Sequence, residues 1–337
     1  MSPDTRIYAT VLHSDHSLQY SLTVAVSILA APLNFLSFYL ILFKSKRERT
    51  SFKVCLFLSQ FLFFLSQLHL GVLTGLVTLH PFPGIYSVGP LKDYLSSFTL
   101  CFIWCILFAT YVYFIFILLI IKLRIVARPG GAFDCSNSTY SVVYILAAVY
   151  VFVPVPGILI KLYSTREEME QFVQLMYPNN LMVFDNPGVF IFTSHNYRTL
   201  IESLLLCIIL SAVLFNAIMY IFISREIRLG IISKSSKHLE ESRRILNNLI
   251  IQSMSYAIFL SISCALVLKA FFNDPAEDSR IPNAIAFTSL CGASIPYQMM
   301  MIYRNTAYRT CVLEKLNFSF EIPITIRQSI FHNVPPR

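Results

Sequence analysis

Residues 94–121 read YLSSFTLCFIWCILFATYVYFIFILLII, and Lys122, Leu123 and Arg124 close the run. No formal charge interrupts it, and roughly 20 apolar residues already cross the hydrocarbon core of a bilayer. A soluble helix of this length would show water a polar face. Here only Ser, Thr and Tyr are scattered among the apolar residues. The stretch predicts a tilted membrane span with a basic cap, ended by Arg128 and the Pro129-Gly130-Gly131 break.

It is the third of seven such runs, near 21–43, 54–79, 94–121, 140–162, 199–223, 246–272 and 281–303. Each must be helical, because lipid offers backbone groups no hydrogen-bond partner. Pro32, Pro154, Pro156 and Pro296 fall inside spans, where neighbouring helices can satisfy a freed carbonyl. Residues 1–20 lack a basic segment followed by an apolar core, so no cleaved signal peptide is expected. Residues 304–337 form a tail. The composition agrees: 56% hydrophobic, 13% charged, mean hydropathy +0.64, against about one-quarter charged in soluble domains.

The net charge of +8 does not mark a nucleic-acid binder, because the cations sit between apolar runs rather than on one patch. Most occupy alternate connectors: Lys44 to Lys53, Lys122 to Arg128, Arg225 to Arg244, and the tail. The positive-inside rule puts these in the cytoplasm and the N-terminus outside. The sequons at Asn137 and Asn317 then lie on the cytoplasmic side and stay unmodified. The longest outer connection, 163–198, carries Glu167, Glu168, Glu170 and Asp185 and then an extended-looking 186–192. It reads either as an ordered loop over a bundle mouth or as a solvated acidic connector. The stretch 225–244 alternates Arg, Lys and Glu and extends the fifth and sixth helices into solvent.

No reaction centre emerges. Six of the eight cysteines lie in apolar runs without a CxxC pair, and no HExxH or carboxylate cluster occurs. No metal, no cofactor and no enzymatic activity are expected. Inside the spans, Ser59, Gln60, Ser66 and Gln67 share one helix face, suited to interhelical hydrogen bonds or to a wet cavity. Asn34 and Asn216 suit interhelical bonding, and His69 has no evident partner. Glu202 and Lys269 lie near outer ends, where they snorkel or face a ligand. No pore-like segment and no internal repeat is visible. A bundle with an outer mouth, a basic inner face and no chemistry of its own has the physical profile of a receptor.

Several segments carry a family resemblance. Tyr39, Phe43-Lys44-Ser45, Ser51 and Lys53 resemble a Tyr…Phe-Lys-Thr-Pro…Ser-Val-Lys pattern, with Lys46 and Arg49 replacing Pro and Met. Pro81 to Tyr86 with Gly89-Pro90-Leu91-Lys92 resemble a Pro-rich Gly-Tyr…Gly-Leu-Leu-Lys stretch. Tyr177-Pro178, Phe184-Asp185 and Pro187 to Phe192 resemble a Tyr-Pro…Phe-Asp-x-Pro-x-Val-Phe-Val block. Leu290-Cys291-Gly292 stands for Leu-His-Gly, and Tyr308-Arg309 for Pro-Tyr-Arg with Ala307 in place of Pro. In order and spacing these resemble the nematode serpentine chemoreceptors, class H, over about 32–313. Two departures stand out. The third span ends Ile121-Lys122-Leu123-Arg124 where the family has a Phe-Glu-Asn-Arg type box, so no acid lies beside Arg124. The 163–198 loop also has no cysteine for the disulfide that ties it to the third helix in many rhodopsin-like receptors.

The resemblance implies an all-α membrane protein, a seven-transmembrane helix bundle of rhodopsin-like architecture. It implies a G-protein-coupled chemosensory receptor in the plasma membrane, extending to a sensory cilium. The implied partners are an external small-molecule odorant, a heterotrimeric G protein and membrane lipid. Depth and polarity nominate Thr99, Trp104, Glu202, Lys269 and Thr288 for the ligand. Arg124, Arg225, Arg228, Arg243, Arg244, Tyr308 and Arg309 are nominated for the G-protein face, where anionic lipid would also be drawn. Tyr308, Val312, Leu313 and Leu316 predict a short interfacial helix, with Cys311 a palmitoylation candidate. The rival reading is a seven-helix ligand-gated cation channel subunit with its N-terminus in the cytosol.

Overall fold

The structure, a computed structural model, describes residues 17–44, 49–79, 82–178, 181–186, 188–194, 197–229, 280–315, and within 246–269 the residues 246–247, 250, 254, 258–266 and 268–269. Expectations for Pro187, Arg243, Arg244, Leu316, the Asn317 sequon, most of residues 1–20 and much of 225–244 lie outside the described residues.

The chain is a helical multi-pass membrane protein. Among the described residues five segments are long and apolar enough to cross: Leu18–Lys44, Thr50–Thr74, Ser97–Val126, Asn137–Leu162 and Ile281–Arg304. Their burial is inverted relative to a soluble protein. On α1 (Ser17–Tyr39) the polar Gln19, Thr23, Ser27, Asn34 and Ser37 are buried, while Leu18, Ile28, Leu29 and Phe35 are exposed. Exposed aliphatic faces of this extent belong against lipid.

Local chemistry sets the helix ends. A π-helical turn, Leu40–Lys44, continues α1. The second helix, α2 (Thr50–Leu68), runs into another, His69–Thr74. Gly75 then adopts φ +55, a left-handed conformation that suits glycine, and its N–H donates to the Leu70 carbonyl at 2.9 Å. The chain leaves as strand β1 (Leu76–Leu79), so the expected 54–79 span is helical only to Thr74. In α3 (Ser97–Val126) the Ser96 side chain caps the first turn by accepting from the Thr99 N–H at 3.2 Å. This helix runs past its basic pair, placing Lys122 inside it, buried, with its ammonium 5.9 Å from the centre of the Phe52 ring. The boundary position expected for Lys122 is corrected: packing of α3 on α2 covers it.

The fourth expected span is two helices, α4 (Asn137–Phe152) and α5 (Pro154–Leu162), parted at Val153 because proline lacks an N–H and displaces the turn before it. The 163–198 connection folds into α6 (Arg166–Met176), a 3₁₀ turn Leu181–Asp185 and strand β3 (Phe190–Ile191). Thr165 and Glu168 form a capping box at its start. Met169, Val173 and Val183 are buried, which makes the segment an ordered cap rather than a solvated connector. Its acidic face is solvated all the same, with Glu170 paired to Arg166 at 2.6 Å. Within the cap, burial lifts the Tyr177 phenol above its usual range.

Strand β2 (Gly84–Ser87) lies between β1 and β3 in an antiparallel sheet, with Thr78 opposite Ile85 and Ile85 opposite Phe190. Next comes α7 (Tyr197–Leu229), about 50 Å long at 1.5 Å per residue and so longer than the hydrocarbon core. Residues 258–266 are helical. Then come α8 (Arg280–Gly292) and α9 (Ser294–Arg304), parted at Ala293 two residues before Ile295-Pro296, and α10 (Thr306–Lys315). Helix α10 turns back onto Leu40–Lys44. Cys311 is buried there against protein, which counts against the palmitoylation expected of it.

Two apolar clusters divide the bundle. One gathers the sheet, the cap and the adjoining helix ends around Phe63, Tyr111, Val173 and Ile191. The other gathers the opposite ends around Leu40, Phe52, Leu119, Tyr140, Ile223 and Met301. Lys122 and Arg124 of α3, Arg225 and Arg228 of α7 and Arg309 of α10 lie at that second end.

Candidate functional site

At the sheet end, the His69–Thr74 turn, α3, α5, α7, residues 258–266 and α8 leave a cavity of about 200 Å³ between them. Phe192 of the cap, and Leu76, Thr78 and Ile85 of the sheet, contribute to its wall. Trp104, Cys101, Cys105 and Phe108 come from successive turns of α3, as a helical repeat requires, and Trp104 stacks on Phe108 with ring centres 5.8 Å apart. Among the described residues the wall includes no carboxylate, imidazole or amine. Such a chamber binds by shape and apolar contact.

Of the five nominated ligand residues, Trp104 lines this cavity. Thr99 sits a turn above it, its hydroxyl 2.9 Å from Ser96 Oγ at the start of α3. Glu202 and Thr288 are half-buried, each next to a wall residue, Ile201 and Phe287. Lys269 is exposed and lies off the cavity. Thr78 was missed because residues 76–79 read as the end of a helix. The positive φ at Gly75 re-aims them, and the glycine in an apolar run was the available signal.

The cap is tied down without a disulfide, since residues 163–198 contain no cysteine. The buried Ser97 hydroxyl donates to the Gly188 carbonyl and accepts from the Ser87 N–H at 2.9 Å, joining α3, β2 and the cap. Ser164 and Thr193 add a hydroxyl pair at 2.8 Å across the base of the same loop. Ser97→Ala strips a partner from two backbone groups and is expected to destabilise the protein by about 2–3 kcal/mol. The check is a lowered thermal midpoint of purified protein together with faster proteolysis within 181–194.

At the opposite end, Arg124 donates to the Asn137 side-chain oxygen and stacks over the Tyr140 ring at 5.1 Å. An acid appears four residues on: Glu226 of α7, 2% exposed, accepts from Arg128 Nε at 3.2 Å and from the Arg128 N–H at 3.3 Å. Sequence reasoning missed Glu226, although an acid between Arg225 and Arg228 was a usable signal. Arg225, Arg228 and Arg309 are exposed around this pair. Tyr308 is buried in the α10 packing and belongs beneath the basic face rather than on it.

Between the two ends lies a buried amide cluster. Gln298 Nε2 donates to Asn34 Oδ1 at 3.0 Å and to Gln60 Oε1 at 2.7 Å, while Ser37 donates to Gln298 Oε1 at 2.5 Å. Asn34 reaches Ser294 at 3.3 Å, and Gln60 donates to the Tyr297 hydroxyl. The bonding expected of Asn34 and Gln60 is present. Gln67 differs: both of its buried side-chain polar atoms lack a hydrogen-bond partner. His69 has the partner its sequence context hid, with Nε2 2.9 Å from the Leu100 carbonyl.

A search of curated proteins finds no match to the chain. The sequence profile of the serpentine-type 7TM GPCR chemoreceptor family Srh matches residues 13–318 of the 337. A match over nine-tenths of the sequence, on a helical membrane protein, leaves one assignment: the chain belongs to the Srh family of serpentine chemoreceptors.

Proposed function

We propose that this protein is a seven-helix G-protein-coupled receptor of the plasma membrane whose cavity binds a small external chemical. Family membership makes it a signalling receptor and not an enzyme. The further reading places residues 1–20 outside, 21–303 as the seven-span bundle and 304–337 in the cytoplasm, the side that the cation asymmetry favours. By resemblance, that membrane is a sensory cilium.

The observation that carries the proposal is the opposition of two unlike ends. One holds an apolar chamber of about 200 Å³ under an ordered cap; the other exposes Arg124, Arg225, Arg228 and Arg309. Arg243 and Arg244 join that basic face by sequence. A ligand shifts an equilibrium only by the difference in its affinity for the two states. Helices lining the chamber and ending at the basic face supply the lever: α3 and α7 do both.

A chemical screen in cells, reading calcium or cyclic nucleotide, tests this. Arg124→Ala is expected to abolish most of the response while surface expression holds. An unchanged response removes Arg124 from the coupling face. An agonist current that persists without GTP would favour the channel reading instead.

A further inference from the structure

Thr78 stands in the cavity wall with nothing to bond to. Side chains alternate along a strand, and on β1 it is Leu76 and Thr78 that meet the cavity. Thr78 is 5% exposed; its Oγ1 has no hydrogen-bond partner and lies just beneath the wall surface, where a rotation about χ1 brings it to a guest. On a helix, a threonine hydroxyl can donate to the carbonyl one turn back; a strand offers no such local acceptor. An unpaired buried hydroxyl is unfavourable, and valine would fill the same space without it. The other hydroxyl among the described wall residues, Ser263, is already engaged: it donates to the Phe259 carbonyl at 2.8 Å and lies 2.7 Å from Ser289 Oγ. Around Thr78 the wall is apolar, and among the described residues none in it would neutralise an ionised guest.

We infer that the cavity takes a small uncharged molecule with an apolar body and one hydrogen-bonding oxygen, a ketone, ester or alcohol, whose oxygen meets Thr78 Oγ1. The inference rests on the cavity being the ligand site proposed above. Thr78 contributes both a free proton and free lone pairs, so either a carbonyl or a hydroxyl completes it. The apolar body lies along Trp104, Phe108 and Leu159. Size sets the other limit: a dry cavity of about 150 Å³ accepts benzene, so this one suits roughly six to ten heavy atoms.

The chain supplies its own reporter. Trp104 is the only tryptophan in the sequence and lies in the wall, so its emission follows occupancy with no G protein present. The full chain, purified in lipid nanodiscs, is titrated with 2-hexanone, hexane and hexanoate. The expected result is a saturable change with 2-hexanone, weaker binding of hexane and none of hexanoate. Thr78→Val is expected to weaken 2-hexanone about three- to tenfold, the worth of one hydrogen bond, and to leave hexane unchanged. Its thermal midpoint should match or exceed that of the native protein, and Thr78→Ser should keep the ketone affinity.

Equal affinity of Thr78→Val and native protein for 2-hexanone overturns the inference. So does hexanoate binding as tightly as the ketone. No Trp104 response to any probe also overturns it, whatever cells report. Binding with the expected Thr78 dependence, alongside silence in the cell screen, leaves the inference standing and removes the receptor reading.

Discussion

Gln298→Leu is expected to lower the stability of the protein by about 2–4 kcal/mol. The side chain is fully buried, and its amide is the shared partner of Asn34, Ser37 and Gln60. Removing it leaves Asn34 Oδ1 and the Gln60 oxygen facing an apolar surface in the middle of the membrane. Ser37 can redirect its proton to a carbonyl of its own helix, so its loss is smaller. Interhelical bonds in lipid average nearer 0.6 kcal/mol in measured cycles, which sets the lower end of the range. Thermal unfolding of purified protein measures the loss. The triple variant Asn34→Leu, Gln60→Leu, Gln298→Leu should lose less than the three single losses added together, because it removes acceptors along with donors. Strict additivity would show that the amides act separately.

Glu226→Ala is expected to raise signalling in the absence of ligand. Glu226 is 2% exposed and holds Arg128, itself 32% exposed, just beyond the end of α3. Breaking a fully buried pair typically costs about 3–5 kcal/mol. With one partner part-solvated, about 1–2 kcal/mol is the expected share that screening leaves. If movement of the α3 end away from α7 opens the coupling face, that share shifts the resting equilibrium by roughly five- to thirtyfold. The pair thus does at Arg128 what a neighbouring acid would have done at Arg124, which is held instead by Asn137 and Tyr140. Basal cyclic nucleotide or calcium per receptor at the surface is the measurement. Lower surface expression with unchanged basal output per receptor would make the pair structural only. Restored basal silence in the reversed pair, Arg128→Glu with Glu226→Arg, would tie the effect to the charges.

Helix existence was legible in the sequence because lipid leaves few choices. A long uncharged run must be helical, and its charges must gather at the ends. What was not legible depended on turns inside those runs. Residues 75–79 continue the apolar pattern of α2, yet one left-handed glycine converts them into a strand that walls the cavity. The break at Val153 was anticipated as a kink from Pro154 and Pro156, but the neighbours of the second half, α5 packed on α3 and α7, could not be read from it. Site residues were the least legible. Polar character nominated Thr99, Glu202 and Lys269, whereas the chamber is built from aromatic, aliphatic and thiol side chains that composition cannot tell from core. Only Trp104 belonged to both descriptions. Glu226 shows the same limit from the other side, because a buried acid and a solvated one look alike in a chain of letters.

The serine that joins α3 to the cap has a consequence for handling and for kinetics. A covalent staple opens only when reduced, but a tether of two hydrogen bonds opens and recloses thermally, at a rate set by local stability. Dithiothreitol should leave the capped chamber intact, and expression in a reducing bacterial cytoplasm should not misassemble this region. Warming, in contrast, should speed both arrival and escape of whatever the chamber holds. The dwell time of a bound molecule would then be a temperature-dependent property written into one hydroxyl group.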